Sequence, residues 1–353
     1  MLAPLRSKAV TVGRSVFFEW AMRNLPYLIV ALLSCLLCSG QSTTPSVAGN
    51  TQQESQVSIE ARQQLAAKQP PVKGAQRQLG IAYYRTGKLI DAERAFAAAM
   101  VIDPQDLEAV QMRGLTLYRL GRPAAAIPYL ERVRQWMPNA NADANHVLGL
   151  SYMNAQRYDE ARGAFAAQYG VAADSAAAYL LAGQMLLDAD LPELAARDAQ
   201  KALEISPSLP LAHFMLGEVY LYKSDTRQAL QEFERERAIN PGYPAVYDRL
   251  GDVYTKTGQY QQAQEALTRA ISLDVSHTGP FIQMGKVFLR RGDPESAVMY
   301  LQHAEKMDPG NSITHTLLGQ AYRAIGKEEE AKRELDAASQ ILASRQLKLE
   351  PPQ

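Results

Sequence analysis

Small residues return along the chain at one fixed period. When units are counted from Lys73, position 8 of every unit is a glycine: Gly80, Gly114, Gly149, Gly183, Gly217, Gly251, Gly285 and Gly319. The interval is 34 residues at every step except one, where it is 35. Position 20 is always an alanine: Ala92, Ala126, Ala161, Ala195, Ala229, Ala263, Ala297 and Ala331. This register predicts repeated units, each with two elements that pack closely.

Apolar positions inside each unit have helical spacing. Positions 4, 7, 8 and 11 share one face of a first helix, and positions 20, 24 and 27 share one face of a second helix. Stretches such as "RTGKL" and "KTGQY" lie between them, with a glycine suited to end a helix. Pro123, Pro192 and Pro294 all fall at position 17, which predicts the first turn of the second helix. The pattern therefore predicts eight helix-turn-helix units, and one such pair alone cannot bury its apolar face.

The pattern Leu-Gly, Tyr, Ala, Phe, Ala, Pro at a period of 34 resembles the tetratricopeptide repeat family. The resemblance covers the chain from Lys73 to about Arg345. It implies an all-α fold, a right-handed superhelical solenoid of about eight tandem helix-turn-helix units with helical caps. The expected units are 73–106, 107–140, 142–175, 176–209, 210–243, 244–277, 278–311 and 312–345, the last with the C-terminal cap. We also expect a capping helix at 53–70 and a tail at 346–353.

A few residues depart from this pattern. Arg113 replaces the usual apolar residue at position 7, while Ala173 and Val275 replace the proline at position 32. Pro128 lies well inside the second helix of the second unit, where it lacks the N–H that would bond to the carbonyl of Ala124. We therefore expect that helix to bend or to start late.

The first forty residues have a different character. The run "LPYLIVALLSCLL", residues 25–37, carries no charge and follows Arg23. It is too short for a bilayer core of ~30 Å, so it suits the apolar region of a secretory signal. We expect a signal at 1–40, with Met22 as a possible true start, and a flexible linker at 41–52.

Three outcomes of this segment stay open. Cleavage after Gly40 would release a soluble protein without cysteine. Alternatively, "LLSC" resembles a bacterial lipobox with Cys35 as the possible lipidation site, although Leu33 is larger than the residue usual there. The third outcome is an uncleaved anchor. All three place the protein outside the cytosol: periplasmic, secreted or attached to an envelope membrane.

Charge and motifs exclude several functions. Lys and Arg number 37, and so do Asp and Glu, which argues against a nucleic-acid surface. We find no phosphate loop, dinucleotide fingerprint or His-Glu-x-x-His motif. The five histidines lie in different repeats and are expected at the surface or at helix ends, so we predict no metal site, no cofactor and no catalytic residue.

The family resemblance implies a binding surface. Ligands of such repeats usually lie along the concave face, at positions 2, 5, 9, 12 and 13 of the first helices. Carried over, these positions are Arg77, Tyr84, Arg85, Tyr118, Arg119, Leu180, Leu187, Phe214, Leu221, Tyr222, Asp248, Asp252, Lys256, Lys286 and Arg290. The expected groove is basic and aromatic, then apolar, then of mixed charge, and exposed apolar patches usually make contacts.

These features predict a non-catalytic protein-protein interaction scaffold of the cell envelope or secretory pathway. Its partner would be a peptide segment or a partner domain in the concave groove. The alternative is a membrane-anchored lipoprotein that assists assembly of an envelope complex, such as pili or outer-membrane proteins. The carboxylate clamp of the cytosolic co-chaperones in this family is absent, because position 9 is never asparagine.

Overall fold

The computed structural model describes residues 59–137 and 142–347, with side chains up to residue 344. These residues belong to one compact unit, Ser55–Gln353. Their regular structure is entirely α-helical, with no strand in the described ranges. Among the described helices, none combines the length and apolar character needed to cross a membrane. The predicted signal, the linker and Cys35 lie outside the described residues.

Seventeen helices make up the described part of the chain. The first, α1, covers 59–66. The first helices of the eight pairs are α2 (Ala75–Arg85), α4 (Leu107–Arg119), α6 (Ala142–Asn154), α8 (Ala176–Asp188), α10 (Ala212–Tyr222), α12 (Pro244–Lys256), α14 (Thr278–Arg291) and α16 (Ser312–Ala324). The second helices are α3 (Leu89–Ile102), α5 (Pro123–Trp136), α7 (Tyr158–Gln168), α9 (Pro192–Ile205), α11 (Thr226–Ile239), α13 (Tyr260–Leu273), α15 (Pro294–Met307) and α17 (Glu328–Leu347).

Contacts between helices follow the order of the chain. From α2 onward each helix packs on the next one, and the first helices of adjacent pairs also touch each other at most junctions. Contacts that reach only the neighbouring pair define a solenoid. The predicted all-α solenoid of about eight helix pairs is confirmed.

Close packing of the two helices in a pair explains the small residues. A Cβ atom added at Gly149 would lie 2.4 Å from Cε1 of Phe165, and one added at Gly251 would lie 2.5 Å from Cγ of Leu267. The alanines at position 20 are buried, with Ala92 and Ala263 fully so. The side chain at position 24 therefore fills the space that the glycine leaves open, except at Gly183, where Met215 of the following pair fills it.

Turns and helix starts follow local sequence. Gly87, between α2 and α3, has a φ of 75°, a backbone conformation that glycine adopts without strain. Pro123 begins α5 at a position where a missing N–H costs nothing. The helix then continues through Pro128 to Trp136, so the expectation of a late start was wrong.

Helices close both ends of the described array. In α1, Ile59 is 2% exposed and packs against Leu79, while Nε2 of Gln63 donates to the Tyr83 hydroxyl at 2.6 Å. This helix ends at residue 66, before Pro70 and thus earlier than the expected end of the capping helix. At the other end, α17 is a single helix of 20 residues whose first turn carries three glutamates.

Candidate partner-binding face

The first helices of most adjacent pairs lie side by side. We call the side chains at positions 5, 9, 12 and 13 of α2, α4, α6, α8, α10, α12, α14 and α16 the first-helix face. Since first helices of adjacent pairs touch each other at most junctions, side chains at these positions follow one another along the array. This is the surface on which the family resemblance places ligands.

At the N-terminal end, Arg77 joins the first two pairs. Its Nη1 lies 2.9 Å from both carboxylate oxygens of Asp106, which is 7% exposed. Asp106 also caps α4, because its Oδ1 accepts from the backbone N–H of Ala109 at 3.0 Å. Arg77 therefore connects the first helix pair to the second. This corrects its expected role as a free charge for a partner.

The neighbouring predicted residues form a small aromatic and basic patch. The Arg119 guanidinium lies over the Tyr84 ring, 4.5 Å from its centroid. Tyr118 is half-buried, and burial raises the pKa of its hydroxyl. Arg85 is exposed and forms no ion pair within the described ranges. Arg119 is likewise exposed and forms no ion pair there, so the charges of both Arg85 and Arg119 are available to a partner.

The central predicted residues separate into two groups. Leu180, Leu187 and Leu221 are half-buried, so each keeps part of its apolar surface on the face. Phe214 is 7% exposed, and its ring lies 5.5 Å from the Phe233 ring and 5.2 Å from the Tyr243 ring, between centroids. The prediction that Phe214 contacts a partner is corrected, because its ring belongs to the interior of the fifth pair.

Tyr222 is the exposed aromatic residue of this central part. Its side chain is 56% exposed, and its hydroxyl donates to Oδ1 of Asp190 at 2.5 Å. This hydrogen bond to a carboxylate raises the pKa of Tyr222. Asp190 follows α8, so the bond holds the ring against the preceding pair. The ring is thus accessible and fixed in orientation.

Charged residues towards the C-terminus are paired with each other. Nε of Arg249 donates to Glu218 at 2.6 Å, and Nζ of Lys256 lies 2.7 Å from Oδ2 of Asp252. Nε2 of Gln283 donates to Oδ1 of Asp252 at 3.3 Å. Asp252 and Lys256, predicted as separate contacts, are therefore paired with each other, and Gln283 links Asp252 to the seventh pair.

Asp248 has a carboxylate oxygen that lacks a hydrogen-bond partner. Its Oδ1 and the Oε1 of Gln283 are sealed from solvent and have no hydrogen-bond partner. Burial raises the pKa of Asp248, and a Cβ atom on Gly279 would already lie 3.4 Å from its Oδ2. Of the other predicted residues here, Lys286 is half-buried and Arg290 is exposed.

Sequence reasoning missed the buried carboxylate of Glu236. It is fully buried, and its two oxygens accept from the backbone N–H groups of Leu211 at 2.8 Å and Phe214 at 3.3 Å. It thereby caps α10, whose own N-terminal residue offers no side-chain cap. The sequence did contain a signal: Glu236 stands at position 27, where five of the eight units have alanine.

Of the histidines, which were expected at the surface or at helix ends, His315 lies in the first turn of α16 but is buried. His315 is 6% exposed rather than at the surface, and its Nδ1 lies 2.7 Å from Oε2 of Glu334. His213 occupies the same position 4 in its own unit and lies 2.6 Å from Glu232. The recurrence of histidine at one repeat position, with glutamate at position 23, was the signal in the sequence.

Comparison with known proteins supports the repeat assignment. Sequence models described as tetratricopeptide repeat match residues 77–140, 117–184, 244–277 and 288–347, together more than half of the chain. We found no curated protein sequence that matches it.

Similar solved structures share the helical repeat. MamA, residues 41 to end, from Desulfovibrio magneticus RS-1 is 20% identical with a TM-score of 0.45 and covers 48% of this chain and 97% of its own. YrrB, a TPR protein with an unusual peptide-binding site, is 26% identical with a TM-score of 0.42, covering 50% of this chain and 91% of its own. The APC/C hetero-tetramer Cut9-Hcn1 is 17% identical with a TM-score of 0.45, covering 76% of this chain and 52% of its own. From its repeats and from the matching family models, this chain belongs to the tetratricopeptide repeat family.

Proposed function

We propose that this protein is a non-catalytic interaction scaffold that binds a peptide segment or a partner domain on its first-helix face. The observation that carries the proposal is Tyr222, an aromatic ring that is 56% exposed and yet held by Asp190. A ring already fixed in orientation loses little conformational freedom when a partner covers it. Aromatic residues are also enriched among those that dominate binding energy.

The surroundings of Tyr222 suit an apolar segment with charges near its ends. Leu187 and Leu221, both at position 12 of the fourth and fifth units, are half-buried and keep part of their apolar surface exposed. Arg85 at one end and Arg290 at the other are exposed cations, available to acidic groups. Apolar contact would supply most of the affinity, and the cations would accelerate association.

A peptide selected on the purified full-length chain tests this proposal. After selection from a random library, the dissociation constant is measured by fluorescence anisotropy for the wild type and three variants. Tyr222→Ala should weaken binding at least tenfold, which corresponds to ~1.4 kcal/mol. Tyr222→Phe keeps the ring and should have a smaller effect.

Met299→Ala provides the matched control. Met299 is 61% exposed and lies on the second helix α15, away from the first-helix face. Its replacement should leave the affinity unchanged. If Met299→Ala weakens binding and Tyr222→Ala does not, the partner binds elsewhere and the proposal is wrong.

We also propose that the protein is exported, on the evidence of the apolar run at 25–37. In the first version, cleavage after Gly40 releases a periplasmic or secreted scaffold. In the alternative version, lipidation at Cys35 yields a membrane-anchored assembly factor. The intact mass of the cellular protein and its partition into detergent distinguish the two. Cys35→Ser should abolish detergent partition in the lipoprotein version and leave it unchanged in the other, while a cytosolic, unprocessed chain would contradict both.

A further inference from the structure

Three potential metal ligands converge at the last two helix pairs. Glu305 on α15, His315 on α16 and Glu334 on α17 each bring one ligand atom within 4.8 Å of the others. His315 is buried, and both glutamates are half-buried. The cluster therefore combines one imidazole nitrogen with two carboxylates in a site that is partly shielded from water.

The imidazole ring of His315 is oriented as in metal sites. Its Nε2 lies 2.9 Å from the carbonyl oxygen of Pro309, to which Nε2–H donates. Its Nδ1 then points towards Glu334, 2.7 Å from Oε2. Histidines that bind metals usually donate their other N–H to a carbonyl or carboxylate in this way, which fixes the ring and its tautomer.

We propose that Glu305, His315 and Glu334 bind a divalent transition metal ion, Zn²⁺ foremost. Imidazole together with carboxylate favours zinc over the oxygen-seeking Mg²⁺ and Ca²⁺. Bonds of ~2.0–2.2 Å to the three ligand atoms require these atoms to lie a little over 3 Å apart, so the Nδ1–Oε2 contact opens by about half an ångström. A fourth position stays open to water or to a group from a partner.

The fifth repeat provides an internal comparison. His213 and Glu232 form the same pair at 2.6 Å, but Leu203 occupies the repeat position that Glu305 has near His315. Glu232 is moreover paired with Arg235, at 2.6 Å.

In the eighth repeat, alanine stands where the fifth has this arginine. The residue is Ala337, and no cation forms a salt bridge with Glu305 within the described residues. The eighth repeat thus has a third ligand and lacks the competing arginine. This difference assigns the metal site to His315 and not to His213.

A proton competes with the metal for Nδ1. Burial lowers the pKa of His315, but its hydrogen bonds to Glu334 and to the Pro309 carbonyl raise it and prevail. Metal binding must displace that proton, so the measurement belongs at about pH 8, well above the ordinary pKa of histidine.

A bound ion would connect three consecutive helices. It would hold the eighth pair to the seventh through Glu305, and it would stabilise the folded chain because the unfolded chain has no such site. The C-terminal end of the array would then respond to the concentration of metal.

Calorimetric titration of the full-length chain with zinc chloride, after treatment with a chelator, tests the proposal. Cys35→Ser and Cys38→Ser are introduced first, since both thiols are potential zinc ligands. We expect one zinc ion per chain. Glu305→Leu, which reproduces the surroundings of His213, should weaken binding at least tenfold. Cobalt absorption in the visible range would report whether the bound ion is four-coordinate.

His213→Ala is the control and should leave both zinc affinity and stoichiometry unchanged. If His315→Ala fails to fold, Glu305→Leu still tests the site. It should fold, since the same repeat position holds leucine in the fourth unit. Equal affinity of the wild type and Glu305→Leu would overturn the proposal. So would the absence of binding at the highest zinc concentration that stays soluble, which would leave a histidine–carboxylate pair only.

Discussion

A Cβ atom placed on Gly217 would lie 2.4 Å from Cε1 of Phe233. Gly217 belongs to the first helix of the fifth pair, and Phe233, fully buried, belongs to the second. Real Cβ atoms are not found so close to a ring carbon, so the backbone of one helix contacts the aromatic side chain of the other directly. The glycine lowers helix propensity by ~1 kcal/mol, and this contact is the compensating gain.

We therefore expect Gly217→Ala to destabilise the protein by ~1–3 kcal/mol, because the ring must move or the helices must separate. Gly163→Ala is the control. Gly163 also lies within a helix, but its added Cβ would meet only Ala173 at 3.9 Å, so this change should be neutral or stabilising by up to ~1 kcal/mol.

Urea unfolding combined with hydrogen exchange checks both variants. Since a solenoid is stabilised mainly by contacts between neighbours, protection should fall first at residues 210–243 and in the adjoining pairs. Uniform loss of protection along the whole chain would contradict this.

The buried carboxylate of Glu236 should be required for the start of α10. Glu236→Ala inserts the residue most frequent at this repeat position, but it leaves the backbone N–H of Leu211 without its acceptor. We expect a loss of ~1–3 kcal/mol in the free energy of unfolding. Gln168→Ala, at the same repeat position in the third unit, should cost less than about 1 kcal/mol. Similar losses in the two variants would show that the capping bonds contribute little.

The buried carboxylate of Asp248 should lower the free energy of unfolding near neutral pH. Burial raises its folded-state pKa above the usual 3.8, so the folded chain holds this proton over a range in which the unfolded chain has lost it. The resulting stability is fully present below pH 3.8 and disappears as the pH rises through the folded-state value.

Asp248→Asn should therefore be more stable than the wild type at pH 7, and this advantage should vanish at acidic pH. Thermal unfolding from pH 3 to pH 8 measures the difference. Asp252→Asn is the control: its carboxylate has Lys256 and Gln283 as partners, so the change should bring no such gain. An advantage of Asp248→Asn that is independent of pH would indicate a packing effect instead.

Arg77 and Asp106 should be energetically coupled. Both carboxylate oxygens lie 2.9 Å from Nη1 of Arg77, and Asp106 is 7% exposed, so we expect a coupling of about 1–2 kcal/mol, above the usual range for exposed pairs. A double-mutant cycle with Arg77→Ala and Asp106→Ala, followed by urea unfolding, measures it. Arg85→Ala, on the same helix and exposed, should change stability by less than about 0.5 kcal/mol. A coupling near zero would mean that the first junction depends on packing alone.

The sequence by itself determined the repeated helix pairs, their turns and the solenoid. Gly80 and Ala92 recur in register, Gly87 ends a helix, and Pro123 starts one, and each of these acts within a few residues of the chain. Because such preferences are local and repeat eight times, the period alone was sufficient to predict the architecture.

The tertiary structure decided which members of that face are free. Arg77 and Asp106, 29 residues apart, form an ion pair that connects two helix pairs, and the Tyr222 hydroxyl bonds to Asp190, 32 residues away. Position 5 is Arg77, which pairs with Asp106, in the first unit, and Phe214, whose ring is buried, in the fifth. Repeat position therefore does not determine exposure. Exposure and charge depend on which side chain the neighbouring pair presents, and His315 acquires two carboxylates only when α15, α16 and α17 pack together. These neighbours differ from unit to unit, and the repeat pattern does not encode them.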